Sequence, residues 1–448
     1  MNPSIPLRKI NFNKIIIILF FLLNLGVIFI LWWMKSSFYI LNPSGGNIYT
    51  AMGRITGLLA SYLLLVQLIL IGRIRWFESA FGFDKLNKIH RFIGYGVMVF
   101  LLSHPILLVI GKAKQQEVSL YSQFGDYLAN WPDVFAAFIA VALFIFIVFL
   151  SISVARKSFR YETWYLVHLL TYLAIGLAFS HQFTGGDIKA GWPMYYWYII
   201  NFVVFGSVLL YRFLRPIYLF IVHRFVIDSI VKETHDTWSI VITGRKMESF
   251  KFAAGQYANL TILTGGMRFS HPFSFSSAYN GKYVRFTIKN LGDYTAKIQL
   301  LKPGTHIVLD GPLGLFIQKK ARRELFLFIA GGIGVTPARA MLESLAHEGR
   351  NAVLLYSSRS EVDVAFKNEF SQIIQMDPLI SVHHILATPT PGFESGFIDK
   401  EKIVRLVPDF YLREVYLCGP PPMMSAMVSN LKELGFDDNH IHFENFSF

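Results

Sequence analysis

The chain has 448 residues, 53% of them hydrophobic and 16% aromatic, with a formal net charge of +13. Its mean hydropathy of +0.44 excludes a wholly water-soluble protein of this size and indicates a membrane part plus one or two soluble domains. A membrane explains the positive charge better than nucleic acid does, because cytoplasmic loops collect Lys and Arg. The single cysteine, Cys418, excludes an intrachain disulfide, a Cys-ligated iron–sulfur cluster and a cysteine zinc site.

Six uncharged apolar runs fill the first half, at about 15–33, 55–71, 92–110, 134–154, 163–183 and 193–211. Each is near the ~20 residues that a spanning helix needs. The first is too long for a signal-peptide core and no small-residue cleavage site follows it, so we read it as retained. Arg8, Lys9 and Lys14 precede the first run, and Arg73, Arg75, Lys85, Lys88 and Arg91 lie between the second and third. Arg156, Lys157 and Arg160 lie between the fourth and fifth, and Arg212 and Arg215 follow the sixth. The opposite loops hold only Lys35, Lys112, Lys114 and Lys189. The positive-inside rule then predicts a multi-pass inner (plasma) membrane protein with both termini in the cytoplasm.

Four of the thirteen histidines fall before residue 220, on the third run (His90, His104) and the fifth (His168, His181). The plain reading places His90 at the interface and gives the others to interhelical hydrogen bonds. Ionisable groups inside a bilayer are rare, however, and usually functional. Imidazole is a natural axial ligand for haem iron. Both helices run from inside to outside, so His90 is level with His168, and His104 with His181. At about 1.5 Å per residue the two levels are ~20 Å apart, which predicts two stacked b-type haems. His90 and His104 are fourteen apart and share a face. His168 and His181 are thirteen apart and need a tilt, a bulge or different faces, for which Gly176 gives room. Pro105 predicts a kink in the third helix. Arg54, at the outer end of the second helix, reads equally as a snorkelling residue and as the partner of a haem propionate or an anionic acceptor.

From about residue 220 the apolar runs shorten to strand length. The stretches WSIVITG, QYANLTIL and KYVRFTIK predict antiparallel β-structure. Within it lie His271-Pro272-Phe273-Ser274-Phe275-Ser276-Ser277 and Lys289-Asn290-Leu291-Gly292-Asp293-Tyr294-Thr295, loops by composition alone. After a boundary near 318–322, strand and helix alternate. The strand at 324–330 leads into Gly331-Gly332-Ile333-Gly334-Val335-Thr336-Pro337 and a helical run at 338–346. Thr336 is placed to N-cap that helix and Pro337 to be its first residue. A glycine-rich turn at a helix N-terminus suits a pyrophosphate, although the spacing is not G-x-G-x-x-G and a plain tight turn fits it too. Strands at 352–357, 381–387 and 414–417 complete a doubly wound sheet. The second strand ends in Ser357-Ser358-Arg359, which suits a 2′-phosphate and hence NADPH over NADH.

In this order the parts resemble the ferric reductase and NADPH oxidase superfamily. That resemblance implies a multi-domain chain: an all-α six-helix transmembrane di-haem bundle at 1–219, an antiparallel β-barrel FAD domain at 220–318 and an α/β doubly wound NAD(P)H domain at 319–448. His90, His104, His168 and His181 are then the haem ligands. His271, Pro272, Phe273 and Ser274 resemble the motif bordering the flavin, and Gly292, Asp293, Tyr294 and Thr295 the segment holding the FAD phosphates. Gly331, Gly332, Gly334, Thr336 and Pro337 resemble the pyrophosphate loop, and Cys418, Gly419 and Pro420 the turn beside the nicotinamide. Glu444-Asn445-Phe446 is similar to the closing motif whose ring stacks on the flavin, with Phe448 as the rival ring. We therefore expect an oxidoreductase that moves electrons from cytoplasmic NAD(P)H through FAD and two haems to an extracytoplasmic acceptor. That acceptor is a ferric chelate, or in the alternative O2, reduced to superoxide. A non-enzymatic redox sensor serving a partner is the third reading, against which the intact motifs argue. An accessory membrane subunit or a second copy of the chain are the macromolecular partners left open.

Overall fold

An apolar run in lipid must satisfy its own backbone, and a helix does so within one segment. Among the described residues, which are 12–131, 133–152, 161–184 and 186–444 of the computed structural model, six helical segments are long and apolar enough to cross a membrane. They are Phe12–Leu41, Asn47–Ile71, Lys85–Gln116, Val134–Ser151, Glu162–Phe183 and Trp192–His223. Arg8, Lys9, Arg156, Lys157, Arg160, Asn445, Phe446, Ser447 and Phe448 lie outside the described residues. The chain falls into two units, Met1–Arg212 and Phe213–Phe448.

The first unit contains α1 (Phe12–Leu41), α2 (Asn47–Ile71), α3 (Arg75–Phe81), α4 (Phe83–Gln116), α5 (Leu120–Asn130), α6 (Val134–Ser151), α7 (Tyr161–Leu177), α8 (His181–Thr184) and α9 (Trp192–Val208). α3 and α5 occupy stretches that the sequence leaves as loops. α5 is started by Ser119, whose hydroxyl accepts the Ser122 N–H at 3.1 Å. α2 and α4 approach closely because small residues line their contact. A Cβ added at Gly53 would lie 2.8 Å from Leu108, and one at Gly111 would lie 2.4 Å from the Thr50 hydroxyl. Small residues four apart serve this purpose where no hydrophobic effect drives helices together. α4 runs on past Pro105 as one helix.

The fifth apolar run is broken. α7 stops at Leu177, directly after Gly176, a turn occupies 178–180, and α8 starts at His181. On a straight helix thirteen residues place two side chains ~140° apart. The turn re-aims His181. Trp197, fully buried on α9, holds α8 by donating its indole N–H to Gln182 Oε1 at 2.7 Å.

The second unit opens with α10 (Arg215–His223), whose Arg215 pairs with Asp310 at 3.1 Å. Six strands follow: β1 (Val226–Lys232), β2 (Thr237–Thr243), β3 (Tyr257–Ile262), β4 (His271–Ser274), β5 (Val284–Lys289) and β6 (Ile307–Leu313). They form the expected antiparallel structure as two three-stranded sheets, ordered β1-β2-β5 and β4-β3-β6. Among the described residues, only the isolated bridges Val226–His306 and Phe275–Phe286 link them, and bulges interrupt the β1–β2 and β3–β6 ladders. The two sheets share a core that includes Ile240, Leu260, Phe275 and Phe286.

The rest alternates: β7 (Leu325–Gly331), α11 (Val335–His347), β8 (Ala352–Ser358), α12 (Lys367–Met376), β9 (Ile380–Leu386), β10 (Glu394–Ser395), α13 (Lys400–Leu406), β11 (Arg413–Cys418), α14 (Pro421–Glu433) and β12 (Ile441–Glu444). The sheet order is β10-β9-β8-β7-β11-β12, all parallel. β7 buries Phe326 and Phe328 on the face covered by α11 and α12, and Leu327 and Ile329 on the face covered by α13 and α14. With both faces covered, the strand reads as one apolar run instead of an alternation. α11 begins at Val335, so Thr336 is not its cap; the Thr336 hydroxyl donates back to the Ile333 carbonyl at 3.1 Å.

Candidate active site: a cofactor cleft and two histidine pairs

The strand order reverses between β7 and β11, which is where open parallel sheets bind ligands. A cleft of about 780 Å³ opens there, the size of a cofactor pocket. Gly331, Gly332 and Gly334 carry the chain from β7 into α11 along one wall. A Cβ at Gly334 would lie 2.5 Å from the Cys418 carbonyl oxygen, so it must be glycine for the loop to lie against the end of β11, while one at Gly331 would lie 2.3 Å from Met423 Sδ and displace that side chain. Ser357, Ser358 and Arg359 line the cleft from the end of β8, and Gly419 and Pro420 from the end of β11. Three further lining residues, Thr237, Lys289 and Leu291, come from the antiparallel part. Lys289 reaches the cleft from the end of β5, and its ammonium is held by Asp236 at 3.2 Å. The exposed ring of Phe397 also lines the cleft and sits in a loop with no motif to mark it.

Three residues proposed from the sequence lie beneath this surface. Thr336 and Pro337 are buried in the first turn of α11, and Cys418 is 2% exposed at the end of β11. Burial, helped by the Glu444 carboxylate, pushes the Cys418 thiol well above its ordinary value. It stays a neutral thiol and not a nucleophile. Glu444 is the register partner of Cys418 on β12.

His271-Pro272-Phe273-Ser274, loop-like by composition, is the edge strand β4, paired with β3. An edge accommodates Pro272, which has no N–H to give. The strand brings the His271 ring to 3.9 Å from that of Tyr294 and sets Phe273 parallel to Tyr294 at 6.5 Å. Burial raises the Tyr294 phenol above its ordinary pKa. Thr295 Oγ1 accepts the N–H groups of Leu291 and Gly292 at 2.8 and 3.0 Å, closing the turn that presents exposed Gly292 and Asp293. Ser274 Oγ is buried without a partner among the described residues. An aromatic cluster beside an unanswered hydroxyl fits a flavin.

In the first unit the structure brings His90 to His168 and His104 to His181, with ring centroids 6.4 Å apart in each pair. Imidazole nitrogens ligate metals at ~2.0–2.1 Å, and with a ring centre ~1.2 Å behind each nitrogen two rings sharing one metal stand ~6.4 Å apart. The donor geometry therefore fits a bis-imidazole haem at each level. His104 Nδ1 donates its N–H to the Gly53 carbonyl at 2.7 Å, which leaves the Nε2 lone pair available to a ligand. Trp164 stacks on His168 at 5.2 Å and donates to Ser151 Oγ, which lies 3.4 Å from His168 Nδ1. Gln67 anchors the His90 turn by donating to its carbonyl at 2.8 Å. Arg54 meets Asp187 at 3.4 Å and lies 4.9 Å over the Tyr39 ring, while Ser36 also donates to Asp187. Sequence reasoning did not find Asp187 or Ser36.

A model of ferric reductase like transmembrane components matches residues 56–179. An FAD-binding domain model matches 230–314, and an oxidoreductase NAD-binding domain model matches 328–429. The glycine betaine monooxygenase reductase subunit of Chromohalobacter salexigens is 29% identical over 49% of this chain and 62% of its own length. The ferredoxin reductase component of the 3-ketosteroid-9-alpha-monooxygenase of Mycolicibacterium smegmatis is 30% identical over 49% of this chain and 64% of its own. The chain thus spans less than two thirds of these relatives. The FAD/NAD-binding domain of nitric oxide dioxygenase from Vibrio cholerae aligns with 49% of this chain and 97% of its own, at 23% identity and a TM-score of 0.44. The chain thus joins a ferric reductase-like transmembrane component to an FAD-binding and an oxidoreductase NAD-binding domain, the arrangement of a ferric reductase and NADPH oxidase-like fusion in a multi-pass membrane protein.

Proposed function

We propose that the chain moves electrons from cytoplasmic NADPH, by way of FAD and two b-type haems, to a ferric chelate on the other side of the membrane. The observation that carries this reading is the pair of histidine couples, each at 6.4 Å, at two depths of the apolar unit. When bound, FAD supplies the exchange of a hydride for single electrons, and the haems supply one-electron sites.

The protein's own groups do the holding. The backbone of Gly331–Gly334 and the N-terminus of α11 receive the cofactor's pyrophosphate. Ser358 and Arg359 receive the 2′-phosphate, and Gly419 and Pro420 flank the nicotinamide. His271, Phe273, Ser274 and Tyr294 border the flavin, and Gly292, Asp293 and Thr295 its phosphates. Cys418 packs beneath the nicotinamide turn. His90 with His168, and His104 with His181, hold the haems, and Arg54 offers a cation on the outer side. Domain limits at 1–219, 220–318 and 319–448, with both termini cytoplasmic, complete the reading.

The test is NADPH consumption by the purified protein with ferric citrate, with and without superoxide dismutase. Chelate reduction insensitive to the dismutase is the expected result. Superoxide formed at the same rate without chelate would assign the oxidase activity instead.

A further inference from the structure

The second unit gathers two arginines and two glutamates beside the flavin strand, with Arg339 buried and Arg285, Glu343 and Glu369 half-buried. Arg285, on β5, grips Glu369 of α12 with both ends of its fork, at 2.8 and 2.9 Å. Arg339, one turn into α11, reaches the same carboxylate at 2.6 Å and also pairs with Glu343. Both guanidinium groups donate to one backbone oxygen, that of Ser276, at 2.8 and 3.1 Å. Glu343 in turn accepts the Ala278 N–H at 2.6 Å. Four charges from three elements therefore close on the segment 276–278.

The location gives this cluster its meaning. Ser276 is two residues past Ser274, the last residue of the flavin strand. Arg339 is five residues past Gly334, the last glycine of the pyrophosphate loop. Behind Ser276 a chain of hydroxyls runs through Thr287 and Ser239 to Glu233, all within the β1-β2-β5 sheet and its edge. On the far side the Arg285 guanidinium lies 5.1 Å over the buried Phe366 ring at the start of α12. Exposed ion pairs such as Lys367–Glu361 contribute little. Forked pairs sheltered from solvent hold a geometry, and losing one partner leaves the other charge without its partner.

We propose that this clasp fixes the flavin strand against the cofactor loop, which makes Glu369 a positioning residue for hydride transfer. The inference rests on the reading that NADPH meets FAD in this module. In that transfer the nicotinamide C4–H bond breaks, and its hydrogen leaves with both bonding electrons for the flavin. NADPH becomes NADP⁺ and the flavin gains two electrons. Such steps need the reacting atoms about 3–3.5 Å apart, and a displacement of ~1 Å costs on the order of 10²-fold in rate. A carboxylate shared by β5, α11 and α12 sets that spacing without touching either cofactor.

The experiment uses the full-length, cofactor-loaded protein in anaerobic stopped flow, with NADPH as the reductant. Glu369→Gln keeps the side chain's shape and removes its charge. Flavin reduction at saturating NADPH should slow by about tenfold or more, and the long-wavelength flavin–nicotinamide charge-transfer absorbance should disappear. FAD content and the Kd for NADPH should stay within about twofold. Arg285→Lys, which keeps the charge and loses the fork, should show the same pattern more weakly. A wild-type rate and band in a folded Glu369→Gln protein would overturn the proposal, as would a fall that merely tracks lost FAD. If Glu369→Gln does not fold, Arg285→Lys decides alone, and a wild-type rate and band there refutes the clasp. Failure of NADPH to reduce the flavin of the wild type would instead bring down the underlying module reading, and the clasp's role with it.

Discussion

Gly57 shows how little room the outer histidine pair has. A Cβ there would sit 2.5 Å from His104 Nδ1, and nothing but the imidazole could yield. Gly96, on the same pair of helices, would meet Leu63 at an ordinary 3.8 Å. Gly57→Ala should therefore lower the haem content from two per chain to one, while Gly96→Ala leaves it at two; a pyridine haemochrome assay on both variants distinguishes them. At the other end of the chain, Arg359 lines the cleft beside Ser358. Losing a charged hydrogen bond costs ~1.5–3 kcal/mol. Arg359→Ala should raise KM for NADPH by roughly ten- to a hundredfold and leave that for NADH unchanged. Equal kcat/KM for the two cofactors in the wild type would remove the 2′-phosphate role.

Among the elements, β12 depends on one buried carboxylate. Glu414, fully buried on β11, takes hydrogen bonds from His440 Nδ1 at 2.8 Å, in the turn before β12, and from His442 Nε2 at 2.6 Å, on β12. Burial alone would raise its pKa, but the two histidines outweigh it and hold the carboxyl below its ordinary value. A carboxylate depressed in the folded state stabilises above its unfolded pKa of about 4.3 and loses that contribution as pH falls through the folded one. Glu414→Gln should therefore lower the temperature at which the full-length protein releases its flavin at pH 7. The gap to wild type should narrow below pH ~4.3. A constant gap from pH 7 to 3 would show that titration of Glu414 plays no part. The break between α7 and α8 is the other element that matters, since it alone lets two histidines thirteen residues apart face one partner helix.

For the whole molecule the decisive quantity is haem stoichiometry. Two low-spin b-type haems per chain are expected, with His104→Ala removing one and leaving the other reducible by NADPH. A wild-type ratio near one would end the stacked-pair model. Membrane sidedness is measured separately. The basic residues at 73–91 and 212–215 should label only from the cytoplasmic side when replaced by cysteine, and Lys112 and Lys189 only from the other.

Much of this was legible in the sequence because its signals are local. An apolar run of spanning length needs only its own residues to become a membrane helix. The same holds for β7, whose unbroken apolar run marks a strand covered on both faces. The four histidines stood out because the apolar runs at 92–110 and 163–183 hold no Asp, Glu, Lys or Arg. Other features were decided by packing between residues far apart in the chain. Composition made His271–Ser274 a loop; pairing with β3 makes it a strand. The Arg54 partner lies 133 residues away, and the two arginines that grip Ser276 come from different elements. Thr336 fits a cap by type, yet α11 starts earlier because Gly334 can lie against β11 where no side chain fits. Apolar pattern and adjacent motifs are properties of a segment and so can be read along the chain. A buried polar group takes whatever partner the folded chain brings within reach, and only the tertiary structure names it.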